Sequence, residues 1–323
     1  MPAAPDAYLY PEIEPYASGM LDVQRPHRLY FEQCGNPNGI PVIFLHGGPG
    51  SGCAPGHRRF FNPDVYRIVL LDQRGAGRSR PAGCLENNDT HALLEDLERL
   101  RAELRIERWL LYGGSWGATL ALLYGQQQPR RVLALVLRGA FLARHRDLVW
   151  FYGADGVGRL FPREYESFIN HLAPSERHEP VAAYNRLLTA PEPSVRLAAA
   201  RQWGAWEGRV VRQFLPPEKE DKPPDVDEVQ RRASIVNHYA HHDFFLGGDG
   251  VPLHWEARQH TPCVMVHGQR DLVCPLEAAW TLHRAWPQSK LVIIETGGHV
   301  ASEPAVGEAL VRVFDEMPAR LTG

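Results

Sequence analysis

RWLLYGGSWGATLALLYGQQQP, residues 108–129, decides how this chain folds. Its first seven residues form a short apolar run closed by two glycines, the pattern of a strand buried on both faces. Residues 116–129 then read as a helix stopped at Pro129. Between them lies Gly113-Gly114-Ser115-Trp116-Gly117, a G-x-S-x-G motif at the join. A serine on such a turn is held strained with its hydroxyl exposed, and the flanking glycines let the helix pack close to the strand. An N–H at the start of that helix can face developing negative charge. The motif alone also describes a glycine-rich turn with a capping serine; the strand before it and the helix after it favour a nucleophile.

Outward from this unit the alternation repeats. PVIFLHGG (41–48), YRIVLLDQRG (66–75), RVLALVLRG (131–139), TPCVMVHGQRD (261–271) and KLVIIETGGH (290–299) read as further strands. HRLYFEQCG (27–35) alternates as a partly exposed one. Helical segments lie at 91–104, capped by Asp89-Thr90, between the last two strands, and near 303–316. Such alternation predicts a mostly parallel sheet covered by helices. It breaks from about 141 to 240, a stretch rich in aromatics, Arg and Pro with helical patches such as 194–208. There LPPEKEDKPPDVDE (215–228) reads as a loop. We expect one α/β core domain, residues 1–140 and 241–323, interrupted by a mainly helical cap domain, residues 141–240.

Composition narrows the function. A chain of 323 residues buries most of its apolar surface without disulfide or metal staples. The net charge of −3 supplies no broad cationic face, which disfavours nucleic acid as a partner. No secretory signal and no membrane-length apolar run is present, so no membrane association is expected. Cys34, Cys53, Cys84, Cys263 and Cys274 are odd in number and lack CxxC spacing. They read as reduced thiols in a cytoplasmic protein, and no metal or other cofactor is implied. Nothing in the pattern fixes an oligomeric state.

A nucleophilic serine needs a base, and the base needs an orienting acid. Asp271 and His299 each follow a strand, in the chain order Ser, acid, His that an α/β-hydrolase arrangement uses. His299 would accept the Ser115 proton while Asp271 fixes the imidazole tautomer. His46-Gly47-Gly48-Pro49-Gly50 follows another strand, and the N–H groups of Gly48 and Trp116 are the candidate oxyanion hole. His46 is assigned to shaping that loop. Residues 72–79, DQRGAGRS, read as a structural turn in which Asp72 and Arg74 tie loops together.

HGGPG, DQRGAGRS, GGSWGATLAL, HGQRD and the GGH ending together resemble the proline iminopeptidases, serine peptidases of the α/β-hydrolase fold. The resemblance runs from about residue 8 to 316. It implies removal of an amino-terminal residue, preferably proline, from peptides with a free N-terminus, without metal or organic cofactor. By motif it makes Ser115, Asp271 and His299 the triad, with Gly48 and Trp116 donating to the oxyanion. It also implies that Arg138, Phe141, Phe151 and Cys274 lie near the substrate, and that Glu207 in RQWGAWEG binds the free amine. A carboxylate there distinguishes a charged terminal amine from an internal amide.

Two positions depart from that pattern. Phe151 stands where the family usually has tyrosine, and Val236 where a second amine-binding glutamate is usual. The valine leaves a second function open, a carboxylic-ester or amide hydrolase with the same triad. A hydrolase-fold protein that binds without catalysis is a third, disfavoured by the intact triad. His238, His241, His242 and Asp243 are expected beside the pocket, where they line a polar cap surface or resemble a metal-ligand set.

Overall fold

The apolar runs sort themselves into two faces of one sheet. A computed structural model describes residues 7–215, 225–253 and 260–322. Its strands are β1 (Ala17–Asp22), β2 (Arg28–Gly35), β3 (Ile40–Leu45), β4 (Tyr66–Leu71), β5 (Trp109–Gly114), β6 (Val132–Arg138), β7 (Cys263–Gly268) and β8 (Lys290–Ile294). They form an eight-stranded sheet in the order β1-β2-β4-β3-β5-β6-β7-β8. The first two pairings are antiparallel and the rest parallel. Ile43, Leu45, Val69, Leu71, Leu111 and Leu135 pack into one apolar cluster. Val42, Phe44, Ile68, Leu70, Leu110 and Val136 pack into another. The two-residue pleat thus splits each continuous apolar run between opposite layers.

Helices α1 (Thr90–Glu103) and α2 (Trp116–Gln127) cover the first face, and α9 (Pro304–Thr322) packs on the second. Asp89 caps α1 by accepting from the Ala92 N–H at 2.9 Å. Between β6 and β7 the described residues make five α-helices: α3 (His145–Tyr152), α4 (Pro162–Asn170), α5 (Pro180–Leu188), α6 (Pro193–Val211) and α7 (Val226–His241). Their aromatic residues stack on one another, as Tyr152 on Trp203 at 4.5 Å and Phe168 on Tyr184 at 4.6 Å. Helix α8 (Leu276–Ala285) joins β7 to β8.

Two expectations need correction. Strand β1 is absent from the sequence reading, because ASGMLD is an edge strand with only Leu21 buried and no apolar run to announce it. The loop expected over 215–228 ends earlier, since Asp225 caps α7 by accepting from the Asp227 N–H at 2.9 Å; residues 216–224 lie outside the described ones.

Buried charges lock the loops above the sheet. Asp72, at the end of β4, accepts the Cys53 N–H at 2.7 Å and the Arg78 N–H at 2.9 Å. Glu32 is fully buried between Arg58 at 2.8 Å and Arg78 at 2.9 Å. Burial pushes its carboxyl up, but the two guanidinium groups outweigh that and hold it below its ordinary value. Its ionised form is therefore favoured in the native state; that stability is full above the ordinary carboxylate range and lost as pH falls through it. Glu32→Gln should lower stability at neutral pH by about 3 kcal/mol in urea unfolding. The variant should also lose less stability than the parent on acidification to pH about 4.

Candidate active site

Ser115 sits where the sheet ends and α2 begins, at φ 56° and ψ −122°, a conformation that side chains rarely adopt. Its N–H is held by the Arg138 carbonyl at 2.9 Å. The glycines on either side are sterically required. A Cβ on Gly113 would lie 2.0 Å from the Gly117 carbonyl oxygen, and one on Gly117 would lie 2.0 Å from that of Leu45. Helix α2 therefore crosses β5 and β3 at a distance open only to glycine. The Ser115 hydroxyl lies 3.9 Å from the Cys274 sulfur and makes no hydrogen bond to His299 among the described residues. Rotation about its Cα–Cβ bond is the movement that attack requires, a loose geometry common before substrate binds.

His299 and Asp271 are joined, Nδ1 to Oδ2, at 2.8 Å. The carboxylate pins the proton on Nδ1 and leaves Nε2 as the basic nitrogen. The other oxygen of Asp271 accepts the N–H groups of Val273 and Cys274, both at 2.9 Å. Burial pushes the Asp271 carboxyl up, but His299 and the Cys274 N–H together bring it below its ordinary value. His267 is buried beneath it, with Nδ1 accepting from the Ala140 N–H at 3.2 Å and Nε2 meeting the Cys274 carbonyl at 2.7 Å. Burial lowers the His267 pKa, so this second imidazole stays neutral. Arg138 donates to the His299 carbonyl and lies flat against Gly114.

The N–H groups of Gly48, in the loop after β3, and of Trp116, the first residue of α2, donate to no protein group among the described residues. A hydrogen-bonded chain holds them together. The Gln73 N–H donates to His46 Nε2 at 3.0 Å, the Gln73 amide donates to the His46 carbonyl at 2.9 Å, and Trp116 Nε1 donates to Gln73 Oε1 at 2.9 Å. With Nε2 accepting, Nδ1 of His46 carries the proton and donates to the Gly47 carbonyl at 2.9 Å. Burial pulls the His46 pKa down and keeps this arrangement neutral. His46 thus shapes its loop, and Asp72 and Arg74 act as structural ties, the latter in a pair with Asp96 at 2.6 Å.

A cavity of about 550 Å³ opens over Ser115. Gly48, Ser115, Arg138, Phe141, Phe151, Glu207, Cys274 and His299 all line it, whereas Trp116 and Asp271 do not, Asp271 reaching the cavity only through its bond to His299. Cys274 keeps its proton, since burial pushes the thiol pKa far up. Glu207 reaches the cavity from α6 and is 9% exposed. Burial raises its carboxyl pKa, and the nearby charge of Arg232 and the Tyr152 hydroxyl partly oppose this. Tyr152 donates to Glu207 Oε1 at 2.9 Å and was missed beside Phe151. Its signal was the spacing of Leu148, Phe151 and Tyr152, which share one face of α3. Val236 also faces the cavity, one helical turn after Arg232.

The histidine cluster is corrected. His238 contacts the Asn88 carbonyl at 3.0 Å, His242 folds back on the His238 carbonyl at 2.8 Å, and none of His238, His241, His242 or Asp243 lines the cavity. They sit where α7 ends, and the helix turns them away from the side that carries Val236.

Comparison with known proteins agrees with this arrangement. Residues 40–305 match the α/β-hydrolase fold family. A proline iminopeptidase of Xylella fastidiosa is 47% identical over 308 residues, covering 95% of this chain and 98% of that protein. The chain belongs to the proline iminopeptidase family. A second member, from Arabidopsis thaliana, is 44% identical over 96% of this chain and 82% of its own length. A solved proline iminopeptidase-related protein from Thermus thermophilus shares the fold, with a TM-score of 0.60 and 24% identity over 94% of this chain and 98% of that one. The family resemblance carried by the motifs is thereby borne out, and its members are serine hydrolases of this fold.

The loop network yields a direct test. Gln73→Leu removes both the brace on the His46 carbonyl and the partner of the Trp116 indole. It should reduce kcat by about 10- to 100-fold with little change in KM, in steady-state assays on a proline arylamide.

Proposed function

We propose that this chain is a prolyl aminopeptidase of the cytoplasm, releasing an amino-terminal residue, preferably proline, from peptides through an acyl-enzyme. Its Asp271–His299 pair, bonded at 2.8 Å beside a strained serine at the mouth of the cavity, is the observation that carries the proposal. Ser115 attacks the scissile carbonyl as His299 Nε2 takes its proton, and Asp271 stabilises the imidazolium. The Gly48 and Trp116 N–H groups, with the positive end of α2, stabilise the tetrahedral oxyanion. His299 then protonates the leaving amine, and water completes hydrolysis. The substrate's own charged amine is met by Glu207, while Phe141, Phe151 and Tyr152 enclose the ring.

In this reading residues 141–240, which hold helices α3 to α7 except for the last residue of α7, act as a cap over a core of residues 1–140 and 241–323. All five cysteines are unpaired, which fits a reducing compartment. Among the described residues no helix is long and apolar enough to cross a membrane. Peptides with a free N-terminus, not nucleic acid, are the partners this site suits.

One observation favours a second reading. Val236 presents an apolar surface to the cavity where a second carboxylate would strengthen amine binding. With one anion fewer, an ester or amide hydrolase with an apolar acyl group fits the same machinery. Turnover of a proline arylamide against a short-chain p-nitrophenyl ester separates the two, and the first reading requires the arylamide to be preferred.

Ser115→Ala should abolish proline arylamide hydrolysis without changing the thermal unfolding midpoint by more than about 3 °C. Glu207→Gln should lower kcat/KM on that substrate by about 10- to 100-fold and leave an N-blocked analogue unaffected. Because burial raises the Glu207 pKa, the anchor is lost at a higher pH than an ordinary glutamate would allow. KM should therefore climb on the acid side of neutrality in the parent and not in the variant. The same raised pKa makes the ionised form a burden on the native state at neutral pH, so Glu207→Gln should raise Tm there.

A further inference from the structure

The cavity is larger than one prolyl residue and its amine require, and its walls come from both faces of the sheet. Phe151, Tyr152 and Val236 belong to the apolar cluster on the α2 face and the helices between β6 and β7. Phe44, Phe60 and Tyr112 line the same cavity but belong to the cluster on the α9 face. The space therefore continues past the carboxyl edge of β3 and β5, on the other side of Ser115 from Glu207. His57 and Ala301 complete this recess.

Chemistry assigns the two halves. With the terminal amine held by Glu207, the acyl residue occupies the side of α3 and α6. The chain beyond the scissile bond must then lie against His299, which hands it a proton. Ala301 follows His299 by two residues and lines the recess, so that side is where the leaving segment emerges. The recess walls are rings. His57 stacks on Phe44 at 4.3 Å with an interplanar angle of 17°, and Tyr112 meets Phe44 edge-on at 5.3 Å. Burial brings the His57 pKa to about 4, so its ring is uncharged at neutral pH. The two carboxylates that line the cavity, Asp147 and Glu207, stand on α3 and α6, while Arg138 stands at the His299 side.

We propose that this recess is a subsite for the side chain that follows the scissile bond and that it selects aromatic residues there. Flat rings give an aromatic side chain edge-to-face and stacked contacts that glycine or alanine lack. A lysine in that position would meet apolar walls and the Arg138 charge with no carboxylate to receive it. The proposal rests on the aminopeptidase reading.

The experiment measures kcat/KM for Pro-Phe-NH2, Pro-Gly-NH2 and Pro-Lys-NH2, with prolinamide as a substrate that has no following residue. Pro-Phe-NH2 should exceed Pro-Gly-NH2 by at least about tenfold, with Pro-Lys-NH2 the poorest. In Ala301→Trp, where the indole fills the recess, the Phe-to-Gly ratio should fall to about twofold or less. Equal turnover of the Phe and Gly substrates by the parent enzyme overturns the subsite, as does a ratio unchanged in Ala301→Trp. Failure to release proline from any of the four, prolinamide included, overturns the aminopeptidase reading instead. The parent ratio stands whether or not the Trp variant folds.

Discussion

The site depends on how closely one helix is allowed to approach two strands. Gly117 brings α2 so near β3 that a single added carbon would lie 2.0 Å from the Leu45 carbonyl, and Gly113 does the same between β5 and the helix. That approach forces the chain through a sharp turn at Ser115 and lifts its side chain above the sheet. It also brings the start of α2 against the end of β3, where a Cβ on Gly117 would meet the carbonyls of Leu45 and His46. Remove the close crossing and Ser115 would shift together with the cavity wall around it.

Around this crossing, burial and neighbouring charges set the state of several titratable groups. Asp271 is ionised because His299 and a backbone amide offset its burial. The buried imidazoles of His46, His57 and His267 have lowered pKa values and stay neutral, so they serve as hydrogen-bonding and stacking surfaces. His299, on the Asp271 carboxylate, is placed to carry the proton. Glu207 is the group under tension, a buried carboxylate supported by the nearby Arg232 charge, the Tyr152 hydroxyl and Trp203. Such tension is characteristic of binding sites, where stability is given up for recognition.

Much of this was readable along the chain. The apolar runs marked seven of the eight strands, and the motifs at their ends marked the triad, the glycine loop and the structural turn at Asp72. These signals survive in sequence because each is local: a strand end, a glycine pair, a histidine after two glycines. Strand β1 was missed because an edge strand needs little apolar surface. Tyr152 was missed because its neighbour Phe151 drew the assignment, although helical spacing places both on one face. Whether the His238–His242 cluster lines the pocket stayed open in the sequence, because proximity to Val236 says nothing of which side of α7 turns inward.

The sequence by itself determined the α/β architecture and the family, and pointed to Ser115, Asp271 and His299 as one set, because order along the chain and strand-end motifs are enough to specify them. Only the tertiary structure decided the shape and charge of the pocket. Phe44, Phe60 and Tyr112 look like core residues in sequence, and Arg232 like a surface charge. Their roles arise where two faces of a sheet and five helices meet over one turn, and contacts between residues hundreds of positions apart leave no periodicity to read.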